Sequence, residues 1–247
     1  MENFILEKII NKKLFNNYNK DIVPNGLQIE GDKIVKKIIT GVSACQDLLN
    51  SALYYKANAI IVHHGYFWEK ESKYIQNVQR NRLKTILSNN INLYSWHMPL
   101  DIHPELGNNI QIAKKLNISI KGEILPYVLW GFLEHKINAF DFANKIEKVF
   151  KKKPIHFYKN APDYINRIAW CSGRGQNFIK QAYKFGIDAF LTGEISEETI
   201  YIAKELGVHF FSIGHYCSEK YGIKSLGKWL HKTYNLDVMF IDVYNPA

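Results

Sequence analysis

An internal duplication constrains the fold of this chain more than any other feature of its sequence. Residues 38–64 align without a gap with residues 168–194, and each copy has the pattern of a strand, a polar turn, an amphipathic helix and a buried apolar strand. Matching positions include Leu49 with Ile179, Ala52 with Ala182, and Asn58 with Asp188. Any two strand–helix units share this pattern, but a gapless register with matching small residues favours duplication over chance likeness.

The duplication extends on both sides of these segments. Each copy is preceded by an amphipathic helix and followed by a helical pattern and an apolar strand. The predicted helices lie at 4–15, 80–89, 142–152 and 197–206, and the predicted strands at 91–96 and 208–213. This alternation predicts an α/β fold of two intertwined, duplicated repeats with mixed, largely parallel sheets. We place the repeats at 1–122 and 123–247, in one compact unit with a metal site at the repeat interface.

The strongest chemical signal is the run His63-His64-Gly65, which directly follows an apolar strand. In open α/β sheets, ligands bind beyond the carboxyl ends of parallel strands. Successive side chains of a strand point to opposite faces, so two adjacent histidines share a site only where the strand ends. We expect Gly65 to permit that turn. The pair suits two metal ions, one imidazole for each, and a structural or surface pair of histidines is the alternative.

Two more polar segments follow apolar strands. His97 and Asp101 come after the first, and Pro99 between them argues against a regular helix and predicts a loop. His215 and Glu219 come after the second, and their i, i+4 spacing places them on one face of a helix. Two ligands at this spacing can hold one metal ion, and a glutamate can also bridge two metal ions. Imidazole and carboxylate donors suit Zn, Mn or Fe. An ordinary polar loop is the alternative for the first segment.

Three residues near these strand ends have more than one interpretation. Glu194 takes the place of His64 in the duplication, which favours a role as general base or substrate anchor over one at a helix N-terminus. Cys217 lies off the face shared by His215 and Glu219 and need not be a ligand. The glycine-rich turn at 172–175 could contact phosphate through backbone N–H groups. The remaining histidines are interpreted as structural or surface residues: His103, His135, His156, His209 and His231.

The basic charge of the chain is most simply explained by a lysine-rich composition on a solvated surface. The formal net charge is +9, but only four of the 32 basic residues are arginines, the residue that nucleic-acid readers favour. Nucleic acid is therefore a possible but not favoured partner, and the positive field suits a phosphate-bearing substrate.

The three cysteines form no CxxC motif, which predicts a reducing compartment. No apolar run approaches the ~20 residues of a membrane span, and we expect a cytoplasmic protein.

At these residues the chain resembles the NIF-three-like family, also called the type 2 GTP cyclohydrolase I family, and in particular its bacterial members. The resemblance covers nearly the whole length. The motifs that carry it are Pro24 to Gln28, His63-His64-Gly65, His97 to Asp101, Thr192-Gly193-Glu194, and Gly214-His215 with Glu219. Many members have proline where Gly65 stands and Asp-Asn where Pro24-Asn25 stands. Neither difference touches the metal ligands that the resemblance implies.

The resemblance implies a ring-shaped homohexamer with two divalent metal ions per subunit facing an inner cavity. By this likeness His63, Asp101 and Glu219 hold one ion. His64, His215 and a bridging Glu219 hold the other. His97 lies beside them, as a ligand or as a neighbour of the ligands, and Glu194 or His97 relays protons.

Three functions remain compatible with the sequence. The first, implied by the resemblance, is hydrolysis of GTP to dihydroneopterin triphosphate and formate by a metal-activated water. The second is metal-dependent hydrolysis of another bond, in a phosphoester or a damaged nucleotide. The third is a non-enzymatic, metal-binding ring that binds a partner or nucleic acid. The first two predict a small, nucleotide-like substrate.

Overall fold

The computed structural model describes residues 1–14 and 21–247. The strands are β1 (Gly26–Ile29), β2 (Lys37–Ser43), β3 (Ala59–His64), β4 (Asn92–Ser95), β5 (Ile118–Leu125), β6 (Val128–Asn138), β7 (Ile155–Phe157), β8 (Tyr164–Cys171), β9 (Ala189–Thr192), β10 (His209–Ser212) and β11 (Asp237–Phe240). The helices are α1 (Asn3–Leu14), α2 (Gln46–Tyr54), α3 (Asn77–Ser88), α4 (Met98–Ile102), α5 (Asn108–Leu116), α6 (Ala139–Phe150), α7 (Ile179–Tyr183), α8 (Glu197–Leu206) and α9 (His215–Tyr234), with a 3-10 turn at Gln176–Phe178. None of the described helices is both long and apolar enough to cross a bilayer.

The chain divides into two compact units. The first contains Met1–Gly107 and Gly222–Tyr244, and the second contains Asn108–Tyr221 and Asn245–Ala247. Helix α9 contributes residues to both. The predicted repeat boundaries describe the duplication in the sequence, and they stay a prediction.

The predicted helices and strands are present, with shifts of a few residues at their ends. Helix α8 has the predicted bounds, and α6 begins earlier because the Asn138 side chain caps it by accepting a hydrogen bond from the backbone N–H of Phe140. Helix α1 is described to Leu14, and residue 15, the last of its predicted helix, lies outside the described residues. Local hydrophobic periodicity therefore located these elements correctly.

The first unit is built on a five-stranded sheet in the order β1-β4-β3-β2-β11. Strands β11, β2, β3 and β4 are parallel, and β1 pairs antiparallel with β4. Ile60 and Val62 of β3 pack with Leu48 of α2 and Ile86 of α3 in one apolar core, and all four are fully buried. Burial of each such side chain contributes roughly 1.5–3 kcal/mol, which fixes the helices on this face of the sheet.

The second unit is built on a six-stranded sheet in the order β5-β6-β8-β9-β10-β7. Strands β8, β9 and β10 are parallel, and the other three pairings are antiparallel. Leu191 of β9 packs in the core that contains Phe142 of α6, whereas the neighbouring residue along the strand, Phe190, packs in a second core with Ala203 of α8. Helices thus cover both faces of this sheet. The α/β class with mixed sheets is confirmed, and the antiparallel hairpin β5–β6 is an addition to the predicted alternation.

The strand pairing of the two copies matches the predicted duplication. In the first unit Ile38 pairs with Ala59 across β2 and β3, and in the second unit the corresponding residues Ile168 and Ala189 pair across β8 and β9. Both pairings are parallel. Residues that correspond in the two copies therefore pair with strand partners that also correspond.

A side chain at the start of β3, and its counterpart at the start of β9, fixes this register. Asn58 Oδ1 accepts hydrogen bonds from the backbone N–H groups of residues 36 and 37, at 3.0 and 3.3 Å. Asp188 Oδ2 accepts from those of residues 166 and 167, at 2.9 and 2.8 Å. Each side chain thereby ties the start of one strand to the backbone of the parallel strand beside it.

We expect Asp188→Ala to destabilise the protein, because two backbone N–H groups lose their acceptor. The expected loss is about 1–3 kcal/mol of unfolding free energy, measured by urea denaturation. Asp188→Asn retains an oxygen acceptor and should remain within about 0.5 kcal/mol of the parent. Asn58→Ala should behave like Asp188→Ala. Equal stability of Asp188→Ala and the parent would contradict this role of the carboxylate.

Two of the histidines interpreted as structural, the half-buried His156 and the buried His209, form a hydrogen-bonded pair between β7 and β10. His209 Nε2 donates to the Pro162 carbonyl at 2.6 Å, so its Nδ1 is left to accept from His156 Nε2 at 3.1 Å. The His156 ring stacks on Phe211 with 4.2 Å between ring centroids. Burial, together with the neighbouring imidazole, lowers the pKa of His156 to about 4. Burial also lowers the pKa of His209.

These depressed pKa values make folding stability sensitive to acid. The unfolded chain binds protons near the ordinary histidine pKa of about 6.5, whereas the folded chain does not until lower pH, so stability falls as pH drops from about 6.5 to about 4. His156→Gln can still donate to His209 but does not titrate, and it should reduce the pH 7 to pH 4 loss by about 2 kcal/mol. Urea denaturation across this range measures it, and His135→Gln, a change at an exposed histidine, should leave the slope unaltered.

Candidate metal centre

Three imidazoles lie together at the carboxyl edge of the first sheet. His63 and His64 end β3, and His97 follows shortly after the parallel neighbour β4. The ring centroids of His63 and His64 are 4.6 Å apart, and those of His63 and His97 are 5.1 Å apart. The three residues offer donor nitrogens within 4.8 Å of one another. We call His63, His64, His97 and Asp101 the histidine cluster.

The hydrogen bond of His63 orients its donor atom. His63 Nδ1 lies 3.0 Å from the Trp96 carbonyl oxygen, which can only accept, so Nδ1 carries the proton. Nε2 then has a lone pair, and it lies 3.5 Å from the carboxylate of Asp101. An imidazole whose second nitrogen donates to a carbonyl is the usual arrangement of a metal-binding histidine. His64 Nδ1 has a comparable partner in Ser43 Oγ, at 3.1 Å.

The prediction of a loop around Pro99 is wrong. Residues Met98–Ile102 form the short helix α4, and His97 is its N-cap residue. Pro99 lies in the first turn of α4, where backbone N–H groups have no acceptor within the helix, so a proline costs no hydrogen bond there. The helix turns Asp101 toward His63, with its side chain buried.

His97 is held by Asp21, which the sequence did not mark, and by Asn25 of the Pro24–Gln28 motif. Asp21 Oδ1 accepts from His97 Nδ1 at 2.8 Å, and its other oxygen accepts from the Met98 backbone at 2.9 Å. Asn25 Oδ1 accepts from the His97 backbone N–H at 2.7 Å. Burial raises the pKa of the Asp21 carboxyl, but the hydrogen bonds from His97, Asn25 and Met98 outweigh it and hold that pKa below its usual value. No local pattern singles out Asp21, whereas the Pro24–Gln28 motif indicated the adjacent segment.

Gly65 is required for close packing rather than for a turn. A Cβ on Gly65 would lie 2.1 Å from Gln28 Oε1 and 2.7 Å from Ser95 Cβ. Gln28 uses that space to accept from the Tyr66 backbone N–H and to donate to the Tyr66 carbonyl. The expectation of a glycine-dependent turn is therefore replaced by a glycine-dependent contact. It links the Pro24–Gln28 motif to the chain just beyond the two histidines.

A second cluster, in the second unit, contains one imidazole between two carboxylates. His215 Nδ1 lies 2.7 Å from Glu194 Oε1, and His215 Nε2 lies 3.0 Å from Glu219 Oε2, one helical turn along α9. Burial lowers the pKa of His215, but Glu219 and Glu194 outweigh it and raise that pKa to about 9. We call Glu194, His215 and Glu219 the carboxylate cluster. Two carboxylates around one imidazole leave an excess of negative charge that suits a cation.

The glycine-rich turn after β8 packs against this cluster. Gly173 has φ +59°, and a Cβ there would lie 2.3 Å from Glu219 Oε1. Its N–H donates to Ser218 Oγ at 2.8 Å, and the Gly175 N–H donates to Thr192 Oγ1 at 3.0 Å. These two amides are therefore already used within the chain. The turn supports the carboxylate cluster, and phosphate contact through these amides is not supported.

Glu194 faces His215 and does not cap α8. The N-terminus of α8 is capped by Ser196 and Thr199, which exchange hydrogen bonds in a capping box. Glu194 Oε2 lies 3.5 Å from both Arg174 Nε and Gln176 Nε2. The position predicted from the duplication, just beyond the end of β9, is confirmed by the strand bounds. The catalytic role of Glu194 stays a prediction.

The start of α9 is held by the segment Asn245–Ala247. The Tyr216 N–H donates to the Ala247 carbonyl at 3.3 Å, and Lys152 Nζ donates to the Pro246 carbonyl. Gly214 has φ +90° and lies against Lys152 and Ala247 where a side chain would not fit. These contacts fix the turn that presents His215. Among the described residues, Cys217 belongs to none of the donor groups that could hold an ion.

The fold and these clusters define a class of protein: an α/β protein of two mixed sheets whose imidazole and carboxylate groups could bind metal ions. The chain belongs to the Duf34/NIF3 (NGG1p interacting factor 3) family, whose model matches residues 3–246. This confirms the resemblance found in the sequence.

Relatives of the chain carry a consistent name. This chain is 76% identical over 247 residues to a GTP cyclohydrolase 1 type 2 homolog from Buchnera aphidicola subsp. Schizaphis graminum (strain Sg). It is 51% identical over 247 residues to the protein of the same name from Escherichia coli (strain K12). In both cases 100% of this chain and 100% of the relative are covered.

Solved structures agree with the fold. The structure of protein ybgI, described as of unknown function, has a TM-score of 0.99 and 51% identity, with 100% of both chains covered. That of TTHA1606 from Thermus thermophilus has a TM-score of 0.91 and 28% identity, also with 100% of both chains covered. The architecture is thus that of the NIF3 superfamily.

Proposed function

We propose that this protein is a metal-dependent hydrolase that converts GTP to dihydroneopterin triphosphate and formate. The observation that carries the proposal is the convergence of three imidazoles, with donor nitrogens within 4.8 Å of one another, at the ends of two parallel strands. The name GTP cyclohydrolase 1 type 2 homolog, carried by relatives that are 51–76% identical, supports this choice of substrate.

The ligands we propose are those that the family resemblance implies. His63 and Asp101 hold one ion, His64 and His215 hold the other, and Glu219 bridges the two. The fit of the donor set supports this assignment, because the proton on His63 Nδ1 leaves Nε2 available and the turn at Gly173 leaves room for the Glu219 carboxylate. Imidazole and carboxylate donors suit zinc, manganese or iron, and among these we propose no particular metal.

The chain itself would position water and move protons. Two divalent ions, when bound, lower the pKa of water toward ~7 and thus supply a nucleophile at neutral pH. Water would add at C8 of the guanine ring, and the five-membered ring would open to a formamide. A second water would hydrolyse that formamide and release C8 as formate, and the remainder would rearrange and close again with loss of one water. His97, held through Nδ1 by Asp21, would exchange protons through Nε2. Glu194, hydrogen bonded to His215, is the second candidate proton carrier.

Two other functions use the same residues. The donor set would serve equally for hydrolysis of a phosphoester or a damaged nucleotide. The other alternative is a metal-binding ring without enzymatic activity. The structure of a relative with 51% identity is described as of unknown function, which is compatible with that alternative. Assembly as a homohexamer and a cytoplasmic location remain part of the proposal.

Removal of a proposed ligand should abolish both metal binding and turnover. We expect the parent protein to release formate from GTP. His64→Ala and Glu219→Ala should each reduce the rate by at least about a hundredfold, because the nucleophile depends on the metal pair. Glu219→Ala, which removes the bridge, should lower the content of both ions, whereas His64→Ala should lower mainly one. Formate release and metal analysis on the same samples measure these effects.

The control variant is Glu197→Gln, which removes an exposed carboxylate close to Glu194 in sequence and should retain parental activity. Release of phosphate instead of formate would replace this proposal with hydrolysis of a phosphoester. A fully metal-loaded protein that turns over no nucleotide would exclude a hydrolase acting on nucleotides.

Metal affinity should rise with pH. Without metal, His215 has a pKa of about 9 and is protonated at neutral pH, so an ion that binds its imidazole must displace a proton. Apparent affinity should increase by up to about tenfold per pH unit until pH approaches 9. Chelator competition at several pH values between about 6.5 and 8.5 measures this slope. His215→Asn should flatten it, and an unchanged slope in that variant would contradict the assignment.

A further inference from the structure

A cavity in the first unit is lined by residues that do not belong to the histidine cluster. Its volume is about 250 Å³, and it is lined by Thr40, Lys224, Gly227, Lys228, His231, Val238 and Phe240. Drug-sized ligands occupy pockets of roughly 300–1,000 Å³, so this cavity suits a smaller molecule, such as one aromatic ring with one acid group.

The floor of the cavity is apolar. Val238 and Phe240 are two residues apart on β11 and therefore point to the same face of the sheet. Thr40 of β2 pairs with Phe240 in the parallel register. Gly227 allows α9 to approach this face closely, since a Cβ there would lie 3.2 Å from Val238 Cγ1 and 3.4 Å from Thr40. The result is a small hollow with a largely hydrocarbon base.

The wall of the cavity is basic. Lys224, Lys228 and His231 have the spacing i, i+4, i+7, which places them on one face of α9. Lys224 Nζ lies 4.4 Å from the centroid of the Phe240 ring, at the boundary between the basic wall and the apolar floor. His231 donates through Nδ1 to the Leu236 carbonyl at 2.9 Å, which fixes its ring. Among the described residues that line the cavity, none carries a carboxylate.

We propose that this cavity binds a small organic anion, with a planar apolar body on Val238 and Phe240 and an acid group against the Lys228 ammonium, beside the His231 ring. The proposal accounts for an arrangement that the metal chemistry does not use. It is independent of the proposed function, because none of the lining residues belongs to the histidine or carboxylate cluster. Lysine ammonium groups beside an aromatic ring favour an anion with an aromatic body over a simple inorganic ion.

Phenyl phosphate is the probe, titrated into the full chain by calorimetry, and we expect saturable binding. Lys228→Met should weaken binding by about ten- to a hundredfold, because a charged hydrogen-bond partner of the acid group is lost. His231→Gln should weaken it less. The methyl signals of Val238 should shift on titration, which places the ligand in the cavity. Benzyl alcohol, which lacks the charge, and inorganic phosphate, which lacks the ring, should each bind at least tenfold more weakly.

Two control variants test whether binding of the probe depends on this cavity. Lys232→Met removes the same charge from an exposed position of α9 that does not line the cavity, and it should leave affinity within about twofold. Glu219→Ala alters the proposed metal site and should not affect binding of the probe. The proposal is overturned by an absence of saturable binding, by an equal loss in Lys232→Met, or by equally tight binding of benzyl alcohol.

Discussion

The parallel register of β2, β3 and β4 is the constraint on which the histidine cluster depends. The pairing brings the carboxyl ends of β3 and β4 to the same edge, so His63, His64 and His97 arrive together. A slip of one residue in β3 would send its side chains to the opposite face. Asn58, at the far end of β3, resists such a slip by accepting two backbone hydrogen bonds. The geometry of the histidine cluster therefore depends on an amide several residues away, and Asp188 serves β9 in the same way.

The donors are oriented by neighbours that are not themselves donors of the clusters. A backbone carbonyl selects the tautomer of His63, and Asp21 does the same for His97. Close backbone approach is equally important: Gly65 admits the side chain of Gln28, and Gly173 leaves room for a carboxylate. Such partners set the direction and basicity of the donors, and in known metal sites their loss costs roughly 10–100-fold in affinity or activity. A site of this kind is specified by its surroundings as much as by its ligands.

Helix α9 carries residues of two separate groups along its length. His215 is its first residue and Glu219 lies one turn later, whereas Lys224, Lys228 and His231 lie further along. The last turn contains Lys232, whose positive charge agrees with the helix dipole near the C-terminus. One helix therefore contributes to the carboxylate cluster at its start and to the wall of the cavity further along.

The sequence alone determined the strand–helix alternation, the duplication, and the strand ends at which His63, His64 and Glu194 stand, because these follow from local hydrophobic periodicity repeated twice along the chain. The tertiary structure decided what periodicity does not encode. It placed Pro99 in the first turn of a helix, paired β5 with β6 in an antiparallel hairpin, and brought Asp21 to a histidine 76 positions away in the sequence. Such contacts depend on how distant segments assemble around a shared sheet, and a local pattern carries no information about a partner that far along the chain.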